Sequence, residues 1–309
     1  MRETASAFSP GGISSFFEIC DRTKDGKPIR DLLKAGARGG GFGLQKGTLT
    51  RAYATEAKKN SVAIFINGML APEAETTKTV LEMLFEKVEK KYKITIDHKV
   101  EIPIGAGFGS SAGGALNTGL TVSKILNLNL TFNQIGKIAH IAEIKCKTGL
   151  GTVGPLMIGG CVLTTKPGAP GISKIESIPL TKKHVIISGV FNPIKTKKIL
   201  NSEKKRELVN YWGKKTLNKI LIKPSAESLL NYSLEFAKKT GFMTSNTRKL
   251  VKIAKELKTI GTAQNMIGEA THTLAVEENA TNIINEFKKI LPKERILVSK
   301  IDFQGARLV

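Results

Sequence analysis

The sequence predicts a two-domain chain of mixed helix and strand, and three observations carry that expectation. Its 309 residues exceed the roughly 100–200 usual for one domain. Hydrophobic residues make up 41% against 24% charged, enough apolar surface to close a buried core rather than leave a disordered chain. Helix-period and alternating apolar segments both occur, which sets aside the all-α and all-β classes.

Taken in order, the first element that periodicity predicts is a helix over Glu73–Lys91, where Val80, Leu81, Leu84, Phe85 and Val88 recur on one face. Tyr92–Ile102 alternates and predicts a half-buried strand, closed by Pro103. A helix is expected over Ala115–Leu126. After a turn at Asn127–Asn129 another runs from Phe132 to about Lys147, with Thr131 as its N-cap. Leu156–Thr165 reads as an apolar strand, and the cluster Pro167-Gly-Ala-Pro-Gly171 as the domain boundary. The expected domains are therefore 1–166 and 172–309. Beyond the boundary, a strand is expected at Lys183–Val190 and helices over 203–222 and 225–240, with Ser225 a cap. Two more helices are expected at Thr247–Leu257 and Ala280–Ile290, and short strands near Arg295–Ile301 and Ala306–Val309.

The most apolar run, Thr148–Thr165, is broken by glycines and Pro155 and is no membrane span. No basic start followed by an apolar run marks a signal peptide. Cys20, Cys146 and Cys161 are odd in number and form no C-x-x-C pair, which suits reduced thiols in a cytoplasmic protein. The net charge is +22, of which residues 1–165 carry +7 and residues 166–309 carry +15. The excess is mostly lysine, as in Lys195-Thr-Lys-Lys198, Lys204-Lys-Arg206 and Lys214-Lys215. Aromatic residues are only 6% of the chain and do not interleave with these runs. A solvated lysine surface that draws in small anions is expected, rather than a nucleic-acid platform. No nucleic acid and no membrane is expected among the partners.

The chemistry is concentrated in Gly105-x-Gly107-x-Gly109-Ser110-Ser111. Alternate glycines leave the backbone bare, so successive N–H groups can form an anion nest. A helix beginning just after Ser111 adds unpaired amides and a positive dipole end, suited to a diphosphate or triphosphate. The Walker A loop needs Gly-Lys-Ser/Thr, and Gly109 is followed by serines. The dinucleotide fingerprint needs G-x-G-x-x-G and an acidic residue about 20 positions on, where this chain has Asn127.

His140 and Glu143 lie three apart on the expected 132–147 helix and share a face. A carboxylate there could hold Mg²⁺ against nucleotide phosphates; the same pair also fits the solvent face of an amphipathic helix. A phosphoryl-transfer site commonly has a group that deprotonates the acceptor hydroxyl. The segment Thr148–Pro155 is a natural place for it, yet offers only Thr152 and no Asp, Glu, His or Lys.

Pro103-Ile-Gly-Ala-Gly-Phe-Gly-Ser-Ser-Ala112 resembles the second motif of the GHMP kinases, the relatives of galactokinase, homoserine kinase and mevalonate kinase. Ser9-Pro-Gly-Gly-Ile-Ser-Ser-Phe-Phe-Glu-Ile19 occupies the place of their first motif, and Gly261-Thr-Ala-Gln-Asn-Met-Ile-Gly268 that of the third. The fit is closest to the archaeal pantoate kinase branch, through Phe16-Phe-Glu-Ile19, Ala35-Gly-Ala-Arg38-Gly-Gly-Gly-Phe-Gly43, Ala139-His-x-x-Glu143 and Thr148-Gly-Leu-Gly151.

The resemblance implies an α+β fold with a ribosomal protein S5 domain 2-like N-terminal domain and a ferredoxin-like C-terminal domain. It also implies ATP and Mg²⁺ as cofactors and phosphorylation of a small hydroxy acid, pantoate. Pro103, Gly105, Ala106, Gly107, Phe108, Gly109, Ser110, Ser111 and Ala112 would wrap the phosphates. Ser111 and Glu143 would hold the metal, and His140 would lie near the pantoate. Ser14, Ser15 and Arg38 are candidates for gripping the substrate carboxylate or hydroxyls, Arg38 by a bidentate contact; a structural role for Arg38 fits as well. Many family members have an Asp, assigned as the base, where this chain has Thr152. In the pantoate branch a His often follows Pro-Gly, where this chain has Gly12. Loose phosphoryl transfer rests mainly on positioning and charge neutralisation, so kinase activity is still expected. A homodimer is expected from the general prevalence of two-fold assemblies.

Overall fold

A computed structural model of the chain describes residues 3–23, 25–192 and 202–309. β1 (Glu3–Cys20) and β2 (Gly36–Ala57) form a long antiparallel pair at the centre of an eight-stranded sheet. Apolar periodicity does not reveal these strands. Much of β1 and the first part of β2 is Ser, Gly and Ala, whose strand role comes from close backbone approach. At Gly41 an ideal Cβ would lie 1.8 Å from the Ile13 carbonyl oxygen.

β2 is shared along its length. Its second half pairs with β5 (Lys91–Val100) and its first half with β6 (Cys161–Lys166). β3 (Ser61–Ile66) runs parallel to β5, and β4 (Met69–Leu70) folds back on β3. β7 (Lys174–Ile178) extends the sheet beside β6. The Pro167–Gly171 cluster therefore joins two strands of the same sheet, and the chain leaves that sheet only after Ile178.

Three helices pack together over this sheet: α1 (Glu75–Phe85), α2 (Ser110–Ile125) and α3 (Phe132–Cys146). Val80, Leu84, Ile94, Ile96, Leu116 and Ile138 are buried between them and the strands. α1 is shorter than its periodicity suggests, because the chain must turn before β5. α3 begins as expected, with a capping box in which Thr131 Oγ1 accepts from Gln134 N–H and Gln134 Oε1 accepts from Thr131 N–H.

The expected strand at Leu156–Thr165 is corrected: α4 (Val153–Ile158) occupies its first part, and the strand begins only at Cys161. Pro155 sits in the first turn of α4, where no intrahelical amide bond is lost. Gly159 and Gly160, at φ 75° and 76°, then reverse the chain. Periodicity does not separate helix from strand in so short an apolar run.

The smaller sheet comprises β8 (His184–Val190), β9 (Gly261–Gln264), β10 (Ala270–Val276) and β11 (Ile296–Lys300), in the order β11-β8-β10-β9. Between β8 and β9 come α5 (Glu203–Ile222), α6 (Ala226–Lys239) and α7 (Ser245–Glu256), and between β10 and β11 comes α8 (Ala280–Lys288). This antiparallel βαββαβ pattern is the ferredoxin-like arrangement. The expected sequence-derived elements here agree within a few residues, including Ser225 as a cap whose Oγ accepts from Ser228 N–H. β9 and β10 are additions: β9 is the first half of the Gly261–Gly268 segment and β10 follows it. β12 (Arg307–Leu308) returns to the larger sheet beside β1.

One buried cluster spans both sheets, joining Phe16 and Phe42 to Ile186, Leu274 and Phe236. Two of the three lysine runs lie on α5, where Lys205 sits over Phe242 and Lys215 over Trp212, each within 5 Å of the ring centroid. The run Lys195–Lys198 lies outside the described residues. Among the described residues no helix is long and apolar enough to cross a membrane.

Candidate active site

The loop between β5 and α2 takes the conformation its glycines permit. Gly105, Gly107 and Gly109 all have positive φ, at 75°, 79° and 68°, a region that costs a side-chain-bearing residue about 1–2 kcal/mol. Gly109 is the N-cap of α2 and provides no side-chain cap. The first amides of the helix therefore keep their donors for an incoming group, which is the usual anion-binding geometry of a helix start. Ile104 and Gly105 are exposed, so the loop is open to solvent.

All three expected motifs meet at this loop. Gly12 N–H donates to Phe108 O at 2.9 Å, and Met266 N–H donates to Ser14 O at 2.8 Å. Asn265 Nδ2 reaches Ala106 O at 3.5 Å. Gly268 approaches so closely that an ideal Cβ would lie 2.4 Å from Ala106 O. Thr152 is there too, its Cγ2 3.0 Å from an ideal Cβ on Gly109 and 3.4 Å from one on Gly12. The same construction explains Gly12 itself, since any Cβ would lie 2.6 Å from Leu156 Cδ2. A histidine there would require the Leu156 side chain to shift.

Glu143, on α3, is buried against the first turn of α2. Its Oε1 accepts from Ser111 Oγ at 2.5 Å and from Thr148 Oγ1 at 2.7 Å. Thr76 Oγ1, at the start of α1, bonds Ser111 at 3.2 Å and Thr148 at 3.1 Å. Gly149 closes the other side, where an ideal Cβ would lie 2.0 Å from Glu143 Oε2. Burial raises the Glu143 pKa, and the hydrogen bonds from Ser111 and Thr148 oppose that shift. Among the described residues no Lys or Arg pairs with it. A buried carboxylate with hydroxyl oxygens around it and no cation is a donor set that suits Mg²⁺, which takes oxygen ligands and usually only one or two carboxylates beside phosphate oxygens. Among the described residues no cluster of three or more His, Cys, Asp or Glu forms a metal cage, so the nucleotide would have to complete the coordination.

The remaining candidates are placed as follows. His140 does not join the hydroxyls around Glu143. It is buried, and its Nε2 lies 3.0 Å from Ala35 O, with burial lowering its pKa. Arg38 is half-buried and engaged by Glu18 through Nε at 2.7 Å and Nη2 at 2.5 Å. Ser14 is half-buried beside the loop. Ser15 is fully buried and its Oγ lies 2.8 Å from His272 Nε2. Sequence reasoning did not single out Thr76, Glu18, Asn265 or His272. Glu18 and Asn265 stand inside motifs already noticed, and the charge pairing of Glu18 with Arg38 was a usable signal. Nothing local distinguishes Thr76 or His272, which only the fold brings to the site.

With this geometry established, the relatives of the chain can be compared. Residues 75–160 match the family described as GHMP kinases N terminal domain. A solved structure titled "Phosphotransferase related to CoA biosynthesis pathway" superposes with a TM-score of 0.84 at 26% identity, covering 99% of this chain and 98% of that one. Mevalonate diphosphate decarboxylase from Staphylococcus aureus shares the fold, with a TM-score of 0.74 at 15% identity over 100% and 98% of the two chains. Fold and loop together define the class as GHMP kinase, whose members use ATP. The pantoate kinase of Methanocaldococcus jannaschii is 31% identical over 91% of this chain and 96% of its own length. That of Thermococcus kodakarensis is 30% identical over 89% and 88%. The chain belongs to the pantoate kinase family.

Proposed function

We propose that this chain transfers the terminal phosphoryl group of ATP to the primary hydroxyl of pantoate, giving 4-phosphopantoate for coenzyme A synthesis. The observation that carries the reading is similarity along the whole chain to pantoate kinases, 91% of it in the M. jannaschii alignment. Mevalonate kinases such as that of Thermococcus gammatolerans align with only 43% of it. In this reading residues 1–166 bind the nucleotide and 172–309 complete the site, Lys174–Ile178 adding a strand to the first domain. A cytoplasmic homodimer acting without nucleic acid or membrane suits such a role.

The loop amides from Gly105 to Ser111 and the start of α2 take the phosphates. Ser111 and Glu143 would hold Mg²⁺. Bound there, the ion neutralises charge on the phosphate oxygens. Thr148 and Thr76 keep the Glu143 carboxylate and the Ser111 hydroxyl aimed at each other. Ser14 and Arg38 face the acceptor; because Glu18 already neutralises Arg38, that side chain supplies directed donors to the substrate carboxylate more than net charge. His140 acts through the backbone, fixing Ala35 and the glycine-rich strand that follows it. Thr152 carries no titratable group, so the hydroxyl proton leaves late to solvent or phosphate while alignment and charge neutralisation lower the barrier.

The test is ADP release with ATP and Mg²⁺ against pantoate, mevalonate, homoserine and shikimate. Turnover with pantoate alone is expected. Turnover with another acceptor, or with none, overturns the assignment.

A further inference from the structure

The buried imidazole of His272 has no place in the mechanism above, yet it links the site's two halves. It lies on β10 and is 0% exposed. Nε2 is 2.8 Å from Ser15 Oγ, and Nδ1 is 2.8 Å from Asn265 Oδ1. Asn265 Nδ2 in turn reaches Ala106 O in the phosphate loop. Ser15 is the extra residue of a β-bulge: Ser14 pairs with Gly41 and Phe16 with Gly40, leaving it out of the ladder. Bulges commonly re-aim a side chain next to an active site, and this one turns Ser15 away from β2 into the smaller sheet.

The proton order along this chain is determined from one end. The Ala106 carbonyl can only accept, so Asn265 presents its NH₂ there and its Oδ1 to the ring. Nδ1 must then carry the proton, Nε2 must accept, and Ser15 Oγ–H must donate. The ring is held neutral, because burial pushes its pKa down to about 3, so this order persists through the working pH range.

We propose that the Ser15–His272–Asn265 chain aligns the acceptor-binding strand with the phosphate loop, making His272 a positioning residue for phosphoryl transfer. The proposal rests on the kinase reading above. It gives Ser15 a different task from substrate contact, since its only hydrogen is committed to His272. Misplacement of a reacting group by about 1 Å can cost on the order of 100-fold in rate, so a link of this kind should be visible in kcat rather than in nucleotide affinity.

The experiment uses the full chain as wild type, Ser15→Ala, His272→Asn and the double variant. Asparagine at 272 keeps the donor for Asn265 and loses the acceptor for Ser15. With ATP, Mg²⁺ and pantoate, each single variant should lose about 10–100-fold in kcat. The Kd for a non-hydrolysable ATP analogue should stay within about three-fold, and the double variant should be no slower than the slower single, since both break one link. A kcat within about two-fold of wild type in Ser15→Ala, or losses that multiply in the double variant, overturns the proposal. Should His272→Asn fail to fold, Ser15→Ala decides alone.

Amide exchange across 104–112 and 265–268 provides a readout that needs no turnover. Faster exchange of both segments in Ser15→Ala supports the link, and unchanged exchange overturns it. A silent wild-type enzyme with the exchange effect intact sinks the pantoate reading and leaves the coupling standing.

Discussion

Glu143 is a carboxylate surrounded by three hydroxyl-bearing residues and no cation, an arrangement that is costly unless a positive charge arrives. Glu143→Ala should therefore lower kcat by about 100-fold or more, as loss of a transition-state electrostatic contact does, with steady-state ADP release as the check. His98 presents a different case of buried ionisation. Its Nδ1 lies 2.8 Å from Thr50 Oγ1 and its Nε2 3.1 Å from Thr77 Oγ1, and burial lowers its pKa from 6.5 to about 4. The folded protein binds this proton less readily than the unfolded chain. The resulting stabilisation is complete above pH 6.5 and is lost as pH falls towards 4, at up to about 1.4 kcal/mol per pH unit. His98→Gln should flatten the stability–pH slope by that amount over pH 6 to 4, measured by urea unfolding. Neither environment could be read from sequence. His98 lies within the alternating Tyr92–Ile102 segment, and the hydroxyls that satisfy it come from β2 and α1.

At the scale of elements, the helices were the legible part. α3 is announced by Thr131 and its apolar periodicity, and its capping box follows from local chemistry. The loop before α2 was equally legible, because three alternate glycines ahead of a helix restrict what the backbone can be doing. That restriction is testable. Gly109→Ala forces a Cβ into a left-handed conformation and to 3.0 Å from Thr152 Cγ2. It should cost about 1–2 kcal/mol of stability and raise the KM for ATP more than that for pantoate, read by thermal unfolding and two-substrate kinetics. The strands were harder. β1 and β2 hold the motif expected to meet the substrate, yet their Gly, Ser and Ala residues give no alternation. α4 was mistaken for strand because six apolar and glycine positions satisfy either period.

For the whole molecule, the decisive fact is convergence. Segments around residues 12, 107 and 266 meet at one loop although more than 90 residues separate each from the next. A nucleotide bound there would touch parts of both sheets and should stabilise them together. An unreactive ATP analogue with Mg²⁺ at 100 times its Kd should add about 2.7 kcal/mol of unfolding free energy. EDTA should shrink the accompanying rise in Tm for the wild type and leave the smaller shift of Glu143→Ala unchanged; differential scanning calorimetry distinguishes the two. The +22 charge fits the same picture as a diffuse attraction for small anions.

Local order in the chain determined the glycine loop, the capped helix that brings Glu143, the helices of the second half and the motifs by which the family is recognised. Each of these is set by backbone dihedral preference or by a repeat of a few residues, and such signals are complete within a short window. Tertiary structure decided the rest: that Arg38 is paired with Glu18, that Ser15 faces His272 rather than open space, that a side chain at Gly12 would meet Leu156, and that Thr76 joins the hydroxyls beside Glu143. These depend on which surfaces meet when distant segments pack, and burial and hydrogen-bond partnership have no values until that packing exists.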